Sequence, residues 1–151
     1  LDRSSAASDV YKRQRFDIHG KLLLESNNKH YFSDHGIRNY LCGFNIRGSI
    51  EKIMENVVWN HLRRQGFEVK VGVLRAGEID FVATKAERRI YIQVAYLLAS
   101  DETVRREFGN LAAIKDNYPK YVVSLDPVGG EFSDYPGIGH VGLRDFLKME
   151  L

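Results

Sequence analysis

Two short apolar segments joined by a polar turn place the strongest constraint on this chain. Residues 78–82 and 90–96 alternate apolar and polar side chains with the period of a β-strand, and Lys85–Arg88 separate them as a turn. This turn sets Asp80 directly opposite Gln93, and opposed residues of a hairpin have Cβ atoms about 4.5–5.5 Å apart. The sequence therefore predicts a buried hairpin on which one carboxylate faces one carboxamide.

The two faces of this hairpin differ in polarity. Period-two alternation places Ile79, Phe81 and Ala83 on one face. It places Glu78 on the opposite face together with Asp80. We therefore expect a second carboxylate beside the predicted pair.

The remaining pattern favours an α/β (α+β) domain over residues 48–151, with a central mixed sheet flanked by helices. The predicted order is helix, three strands, helix, strand, short strand, helix. Helices are predicted over 49–66, 100–117 and 143–149, and strands over 67–74, the two hairpin segments, 121–125 and 140–141.

The first fourteen residues differ from the rest. Asp9–Gln14 are the residues that the bases GAT GTG TAT AAG AGA CAG encode, and those bases resemble the transposase end sequence used to prepare sequencing libraries. We interpret residues 1–14 as a translated library adapter and expect a non-native or disordered tail there. On this interpretation the natural N-terminus is missing.

Residues 15–47 predict a β-hairpin followed by a linker. Arg15–Ile18 and Lys29–Phe32 have strand-like compositions, Glu25–Asn28 have the composition of a turn, and a short helical segment is expected over 37–41. Because this part holds few large apolar residues, we expect it to depend on a segment upstream.

Composition limits the function classes. Lys and Arg number 22 against 20 Asp and Glu, and a formal charge of +2 is not that of a strongly basic nucleic-acid-binding protein. Cys42 is the single cysteine, so no internal disulfide forms and a reducing compartment is expected. No apolar run has the length of a membrane span. We expect a soluble, cytoplasmic protein without membrane contact.

The order of elements resembles the core of the restriction-endonuclease-like, or PD-(D/E)xK, nucleases. Those enzymes carry an acid on the first helix, an aspartate on the second strand and an acid-x-Lys tripeptide on the third. Glu55 and Asp80 match the first two positions, whereas Gln93-Val94-Ala95 replaces the acid and the lysine of the third. The resemblance thus implies a degenerate site of Glu55, Asp80 and Gln93.

Separated blocks over residues 15–151 resemble one family within that group, the nuclease-like domain of unknown function fused C-terminal to bacterial and archaeal AAA-type ATPases. The blocks are Arg15–Gly20, Lys29–Arg38, Met54–Val58, Glu78–Phe81, Ile92–Tyr96, Glu107–Phe108 and Asn117–Val122. The resemblance implies that residues 15–35 are the wing hairpin of a truncated winged-helix segment. It also implies an upstream ATPase domain that binds ATP, and this chain carries no phosphate-binding loop of its own.

Metal-dependent hydrolysis by such a fold needs a divalent cation such as Mg²⁺, held by at least two oxygen ligands. Glu55 and Asp80, with Glu78 in reserve, are the candidate metal ligands. The ammonium group of the family's lysine is missing, and Lys70 or Lys85 would have to replace it. We therefore expect a nuclease-like fold without nuclease activity, and no cofactor in this fragment.

Three functions remain open. The favoured one is a non-catalytic accessory module that couples an AAA-type ATPase to DNA or to a partner protein. The alternatives are a metal-dependent DNA nuclease with a rearranged acidic site, and a structural or homo-oligomerisation domain. On a purely structural interpretation, Asp80 and Gln93 hydrogen-bond each other and Asn56 or Tyr96 within a buried polar patch.

Pairs of adjacent arginines are the candidate nucleic-acid contacts. Arg63–Arg64 and Arg105–Arg106 are proposed as phosphate contacts, because guanidinium groups bind phosphate in a bidentate manner. A third pair, Arg88–Arg89, lies at the predicted hairpin turn. The alternative for all three pairs is a solvated helix end or turn.

Overall fold

The computed structural model describes residues 10–17, 23–34, 36, 40, 49–75, 77–127, 130–132 and 134–151. Its strands are β1 (Val10–Asp17), β2 (Leu23–Phe32), β3 (Glu68–Leu74), β4 (Gly77–Lys85), β5 (Arg88–Val94), β6 (Lys120–Ser124), β7 (Gly130–Glu131) and β8 (Ile138–Gly142). Its helices are α1 (Ile50–Arg64), α2 (Asp101–Ala112) and α3 (Leu143–Phe146). Over these ranges the strands form one sheet in the order β2-β1-β3-β4-β5-β6-β8-β7.

The sheet is mixed and has helices on both faces. Strands β3, β4 and β5 form an antiparallel meander, whereas β5, β6 and β8 run parallel to one another. Helices α1 and α3 pack on one face and α2 packs on the other. The predicted fold class, a mixed sheet flanked by helices, is confirmed at this level.

The core on the α1 face is the larger of two apolar clusters. Met54, Val58, Trp59 and Leu62 of α1 are almost fully buried and pack in one cluster with Phe81 of the sheet. Burial of side chains of this size contributes about 1.5–3 kcal/mol each before the cost of ordering them. This burial holds α1 against the strands that carry Asp80.

Helix α2 closes the second face and connects the parallel strands β5 and β6. The predicted start of this helix is confirmed, and Ser100 caps it, because its hydroxyl accepts a hydrogen bond of 3.2 Å from the backbone N–H of Thr103. Phe108 and Leu111 are fully buried and pack with Val82 of β4. None of the helices in the described ranges has the length and apolar character that crossing a membrane requires.

The N-terminal hairpin is confirmed with different boundaries. Strands β1 and β2 pair antiparallel, but Val10–Gln14 belong to β1, so the predicted absence of structure is wrong for those five residues. Glu25–Asn28 lie within β2, so the turn predicted there is also wrong. The connection at 18–22 and residues 1–9 lie outside the described ranges, as does all but one residue of the helical segment expected over 37–41.

The hairpin joins the main sheet and is not a separate appendage. Arg15, Phe16 and Asp17 of β1 pair in parallel with β3, beginning with Arg15 opposite Val71. The hairpin therefore has a partner within the described residues, and its dependence on an upstream segment stays a prediction. A pairing between strands so far apart in sequence leaves no local signal. The domain boundary at residue 48 stays a prediction.

A β-bulge in β4 changes which side chains share a face. Lys70 pairs with Val82 and Gly72 pairs with Ile79, so two steps along β3 match three along β4. The extra residue reverses the alternation, and Ile79 packs with Val82 on the α2 face while Phe81 packs on the α1 face. The prediction that Ile79 and Phe81 share a face is wrong for this reason.

The predicted register of the central hairpin is confirmed. Thr84 lies opposite Arg89, and Lys85 lies opposite Arg88. Two residues connect the strands, and the first of them, Ala86, has a φ of +51°. An L-residue with a Cβ is strained in this region of backbone space.

We predict that Ala86→Gly stabilises the protein. Glycine removes the steric cost of the positive φ but adds chain entropy to the unfolded state, which leaves a gain of about 0.5 kcal/mol. Urea unfolding measures the difference. The matched control is Ala113→Gly at the end of α2, where φ is −69°. It should lower the free energy of unfolding by about 0.5–1 kcal/mol, and a loss in both variants would contradict the strain.

Candidate functional site

A lysine ammonium group joins the two acids that the sequence singled out. Lys29 Nζ lies 2.8 Å from Asp80 Oδ1 and 3.3 Å from Glu55 Oε2. The three side chains come from β2, β4 and α1, respectively. We refer to Lys29, Glu55, Asp80 and Tyr31, whose hydroxyl also contacts Glu55, as the ion cluster.

The expectation that this site lacks an ammonium group is wrong. The two lysines named as substitutes are engaged elsewhere, because Lys70 pairs with Glu68 at 2.9 Å and Lys85 donates to the Gln65 carbonyl at 2.7 Å. The ammonium that does reach the acids belongs to Lys29, which the sequence places 51 residues from Asp80. The described strands thus supply a charge of the kind that the third-strand lysine supplies in the resembled enzymes.

Helix α1 holds the strand that carries Lys29. Asn56 is buried, and its side-chain amide accepts from the Phe32 backbone N–H at 2.8 Å and donates to the Phe32 carbonyl at 2.6 Å. Asn60 donates to the same carbonyl at 3.2 Å. Because Asn56 is engaged with Phe32, it is not the partner of Gln93 that the buried-patch interpretation expected. These bonds fix the end of β2 against α1.

Tyr31 forms the apolar floor of the ion cluster. Its ring stacks on Trp59, with centroids 5.6 Å apart, and lies 5.5 Å from Phe81 in a tilted arrangement. Its hydroxyl donates to Glu55 Oε2 at 3.1 Å. Since alternate residues of a strand share a face, the packing of Tyr31 also orients Lys29 towards α1.

Asp80 uses both carboxylate oxygens. While Oδ1 binds Lys29, Oδ2 accepts a hydrogen bond of 3.0 Å from the Val94 backbone N–H. The bulge after Ile79 re-aims this residue, which is a known effect of an extra residue in one strand. The carboxylate therefore links β4 to β5 as well as to the N-terminal hairpin.

Gln93 contacts Asp80, but not through the carboxylate. Its Oε1 accepts from the Asp80 backbone N–H at 3.3 Å. Ile92 and Val94 face α1, so alternation directs Gln93 towards the α2 side of the sheet. The two residues are neighbours as predicted, but the carboxylate–carboxamide pair that the sequence predicted is not formed.

Burial and charge shift the pKa values of the ion cluster. Burial, followed by the charge of Asp80, raises the pKa of Glu55, and Lys29 opposes this only in part. Burial alone lowers the pKa of Lys29, but the two carboxylates outweigh it and the pKa is raised. Burial and the charge of Glu55 raise the pKa of Tyr31, so its hydroxyl stays protonated and donates. Lys29 remains charged at neutral pH.

The three candidate metal ligands do not come together as one group. Glu55 and Asp80 meet at Lys29, and Asn110 donates to the backbone carbonyl of the neighbouring Glu78 at 3.3 Å. Its charge reaches Tyr31 and contributes to the raised pKa there. Over the described ranges, no set of three or more His, Cys, Asp and Glu side chains has an arrangement that could hold a metal ion.

The four candidate arginines lie in two separate places. Arg63–Arg64 belong to the last turn of α1. Arg106 donates to Glu107 at 2.8 Å and lies within electrostatic reach of Glu51 in the first turn of α1. Twelve residues of helix separate Glu51 from Arg63, which is about 18 Å. Arg63–Arg64 and Arg105–Arg106 therefore do not form one phosphate-binding patch.

Sequence reasoning missed Lys29 and Tyr31 as site residues. Both lie in a predicted strand, and their spacing of two places them on one face. This spacing was the available signal. It did not identify a site, because nothing local shows that β2 lies beside the helix that carries Glu55.

Comparison with known proteins gives one relative. The chain is 37% identical over 124 residues to an uncharacterized protein of Haemophilus influenzae. The aligned part covers 82% of this chain and 30% of that protein, so the chain spans about a third of its relative's length. No family model matches the sequence, and no solved structure matches it.

We predict that Lys29→Met destabilises the protein. The change leaves two carboxylates buried without their counter-charge, and the loss should be about 2 kcal/mol, between the values for exposed and fully buried ion pairs. Urea unfolding at pH 7.5 measures it. Lys148→Met is the matched control, since its pair with Asp145 is exposed on both sides and the unfolding midpoint should not move.

The stability that Lys29→Met loses relative to the wild type should be smaller in acid. Without Lys29 the pKa of Glu55 rises further, so the folded state binds a proton at a higher pH than the unfolded chain does. Stability of the variant then increases as pH falls towards that pKa. We expect the difference from the wild type to be smaller at pH 5 than at pH 7.5. An equal difference at both pH values would contradict the ion cluster.

Proposed function

We propose that this chain is a nuclease-like accessory module of a longer protein, and that its acidic centre performs no metal-dependent phosphodiester cleavage. The module would couple a neighbouring AAA-type ATPase to DNA or to a partner protein, in the cytoplasm. The observation that carries the proposal is the position of Lys29, whose ammonium group lies between the two acids.

The ion cluster favours a structural role for the acids. A divalent cation would need oxygen ligands that are open, yet Asp80 already binds Lys29 with one oxygen and Val94 with the other. Glu55 Oε2 is likewise bonded to Lys29 and Tyr31. A metal would have to displace a tethered ammonium group and break these hydrogen bonds. The ion cluster therefore supports an acidic centre in which the Lys29 ammonium group takes the place of a metal ion.

The order of elements supports the restriction-endonuclease-like assignment. Helix α1 precedes the antiparallel β3–β4–β5 meander, and α2 then leads to β6, which is parallel to β5. Glu55 on the first helix and Asp80 on the second meander strand occupy the positions that the resemblance assigns to acids. Fold resemblance does not carry activity by itself. It supports the nuclease-like part of the proposal, and the ion cluster supports the absence of catalysis.

The upstream ATPase is proposed from the resemblance of the sequence blocks. The match to only 30% of the Haemophilus influenzae relative supports the view that domains of this kind occur within longer proteins. ATP binding belongs to that upstream domain in the proposal.

A second candidate is a metal-dependent nuclease in which Lys29 supplies the ammonium group. The 2.8 Å contact between Lys29 and Asp80 favours it, because the resembled enzymes also place a lysine beside their acids. In this mechanism a divalent cation on Glu55 and Asp80 would activate water, and Lys29 would help to position it. The two candidates differ in one observable, which is cleavage.

We predict that the purified chain does not cleave DNA. Plasmid and single-stranded DNA are incubated with Mg²⁺ or Mn²⁺, and gel electrophoresis records the products. The wild type and Asp80→Ala should give identical, uncut substrates. Cleavage by the wild type that is lost in Asp80→Ala would establish the nuclease and end the proposal.

A second prediction concerns the cation itself. Removing the ammonium group with Lys29→Ala should open a weak divalent site on Glu55 and Asp80. A site of millimolar affinity gains about 1.4 kcal/mol from about 10 mM Mn²⁺. Mn²⁺ should therefore raise the midpoint temperature of thermal unfolding in Lys29→Ala, but not in the wild type or in Lys29→Ala/Asp80→Asn. The same shift in the wild type would show that Lys29 does not occupy the cation position.

A further inference from the structure

A cavity at the β4–β5 turn lies outside the ion cluster. It has a volume of about 430 Å³, within the usual range of ligand sites. Its lining residues are Thr84, Ala86, Glu87, Arg88, Arg89 and Tyr118. We call it the turn cavity. Two arginines and one aromatic ring in a single concavity form a combination suited to an anionic ligand that also has a flat apolar part.

The arginine and the ring in the turn cavity are in contact. The guanidinium carbon of Arg89 lies 5.3 Å from the centroid of the Tyr118 ring, as in a cation–π interaction. Tyr118 keeps 40% of its surface exposed, so part of its side chain is in contact with solvent. Arg89 therefore orders the ring while part of the ring stays accessible to a second flat group.

Arg89 also has an unused donor. Its Nε is buried and has no hydrogen-bond partner among the described residues. Arginine stays protonated in proteins, so this N–H cannot be relieved by loss of the proton. A buried donor without an acceptor is unfavourable and calls for an explanation. A ligand oxygen can reach this N–H only after the Arg89 side chain turns outward, so the cavity's lining and charge carry the argument for a ligand.

Positive charge extends from the turn cavity across the end of the sheet. Arg88 and Arg89 outnumber Glu87 within the cavity. Lys85 lies opposite Arg88 in the hairpin, and its ammonium group donates to the carbonyl of Gln65, which follows Arg63–Arg64 at the end of α1. Lys85 therefore adds a third cation at the turn, next to Arg88. A nearly neutral protein can place three cations at one turn only by concentrating its charge locally.

We propose that the turn cavity binds single-stranded nucleic acid, with phosphate groups on Arg88 and Arg89 and an unpaired base against the Tyr118 ring. Stacked aromatic rings and a row of cations are the two elements by which proteins bind single strands without sequence preference. A duplex offers its phosphates but not the faces of its bases. The inference deepens the proposed function, on which it rests for its setting, because it names the substrate that the accessory module engages.

The test is binding of fluorescein-labelled dT20 and rU20 to the full chain, measured by fluorescence anisotropy over a range of salt concentrations. In Arg88→Ala/Arg89→Ala the affinity should fall about ten-fold or more. The slope of the logarithm of the binding constant against the logarithm of the salt concentration should become less steep by about 0.7 for each lost phosphate contact. Arg144→Ala/Lys148→Ala removes the same charge from exposed positions elsewhere and should bind like the wild type. Equal losses in both double variants would overturn the assignment of the cavity.

The ring gives an independent readout. Tyr118→Ala should weaken binding about ten-fold, whereas Tyr118→Phe keeps the stacking surface and should stay within about two-fold of the wild type. Urea unfolding of each variant confirms that the protein is folded. An unlabelled duplex of equal length should compete less well than the single strand. Loss of affinity in Tyr118→Phe, or equal competition by the duplex, would contradict base stacking.

The DNA and RNA arms identify the natural strand, and either one supports the site. Absence of binding by the wild type to both strands would end the inference and would leave the cleavage result untouched. Conversely, if the wild type cleaves DNA with a metal ion and Asp80→Ala does not, the proposed function is wrong. The turn cavity is still assigned as the binding site if the arginine and Tyr118→Ala variants lose affinity for the single strand. The two failures are thus distinguishable.

Discussion

The charge of Lys29, held between Asp80 and Glu55, is the interaction on which the site depends. Without a cation between them, two neighbouring buried carboxylates would repel each other, and their ionised forms would be disfavoured. Breaking such a group by removing one member is costly, because the remaining charges lose their partners. The ammonium group therefore ties together the three elements β2, β4 and α1.

Neutral contacts set the position of this charge. The side-chain amide of Asn56 hydrogen-bonds both the N–H and the carbonyl of the Phe32 backbone, and Tyr31 stacks on Trp59. A shift of β2 along α1 would break these hydrogen bonds and this stacking. The bulge in β4 then turns Asp80 towards the same face. The packing thus orients the ions, and the ions in turn satisfy one another. Removal of Lys29 tests the charges without removing this apolar support.

The molecule separates two kinds of polar surface. The polar groups of the ion cluster are hydrogen-bonded to one another and to the backbone. In the turn cavity, Arg89 Nε has no acceptor among the residues that the structure describes, and the Tyr118 ring is partly exposed. Polar groups that satisfy one another suit a structural role, and a concave site with cationic side chains and an exposed ring is suited to a ligand. This contrast favours a structural role for the acids and a binding role for the β4–β5 turn.

Local patterns in the sequence determined a large part of the fold. The helix α1, the start of helix α2 and the register that sets Asp80 beside Gln93 all depend on residues close together in the chain, and the structure has each of them. Only the tertiary structure decided that β1 pairs with β3, that a bulge re-aims Asp80 and that Lys29 reaches it from 51 residues away. Periodicity records which face of an element is apolar, but it carries no information on which distant element covers that face. The charge that completes the site was therefore visible in the sequence only as one lysine among many.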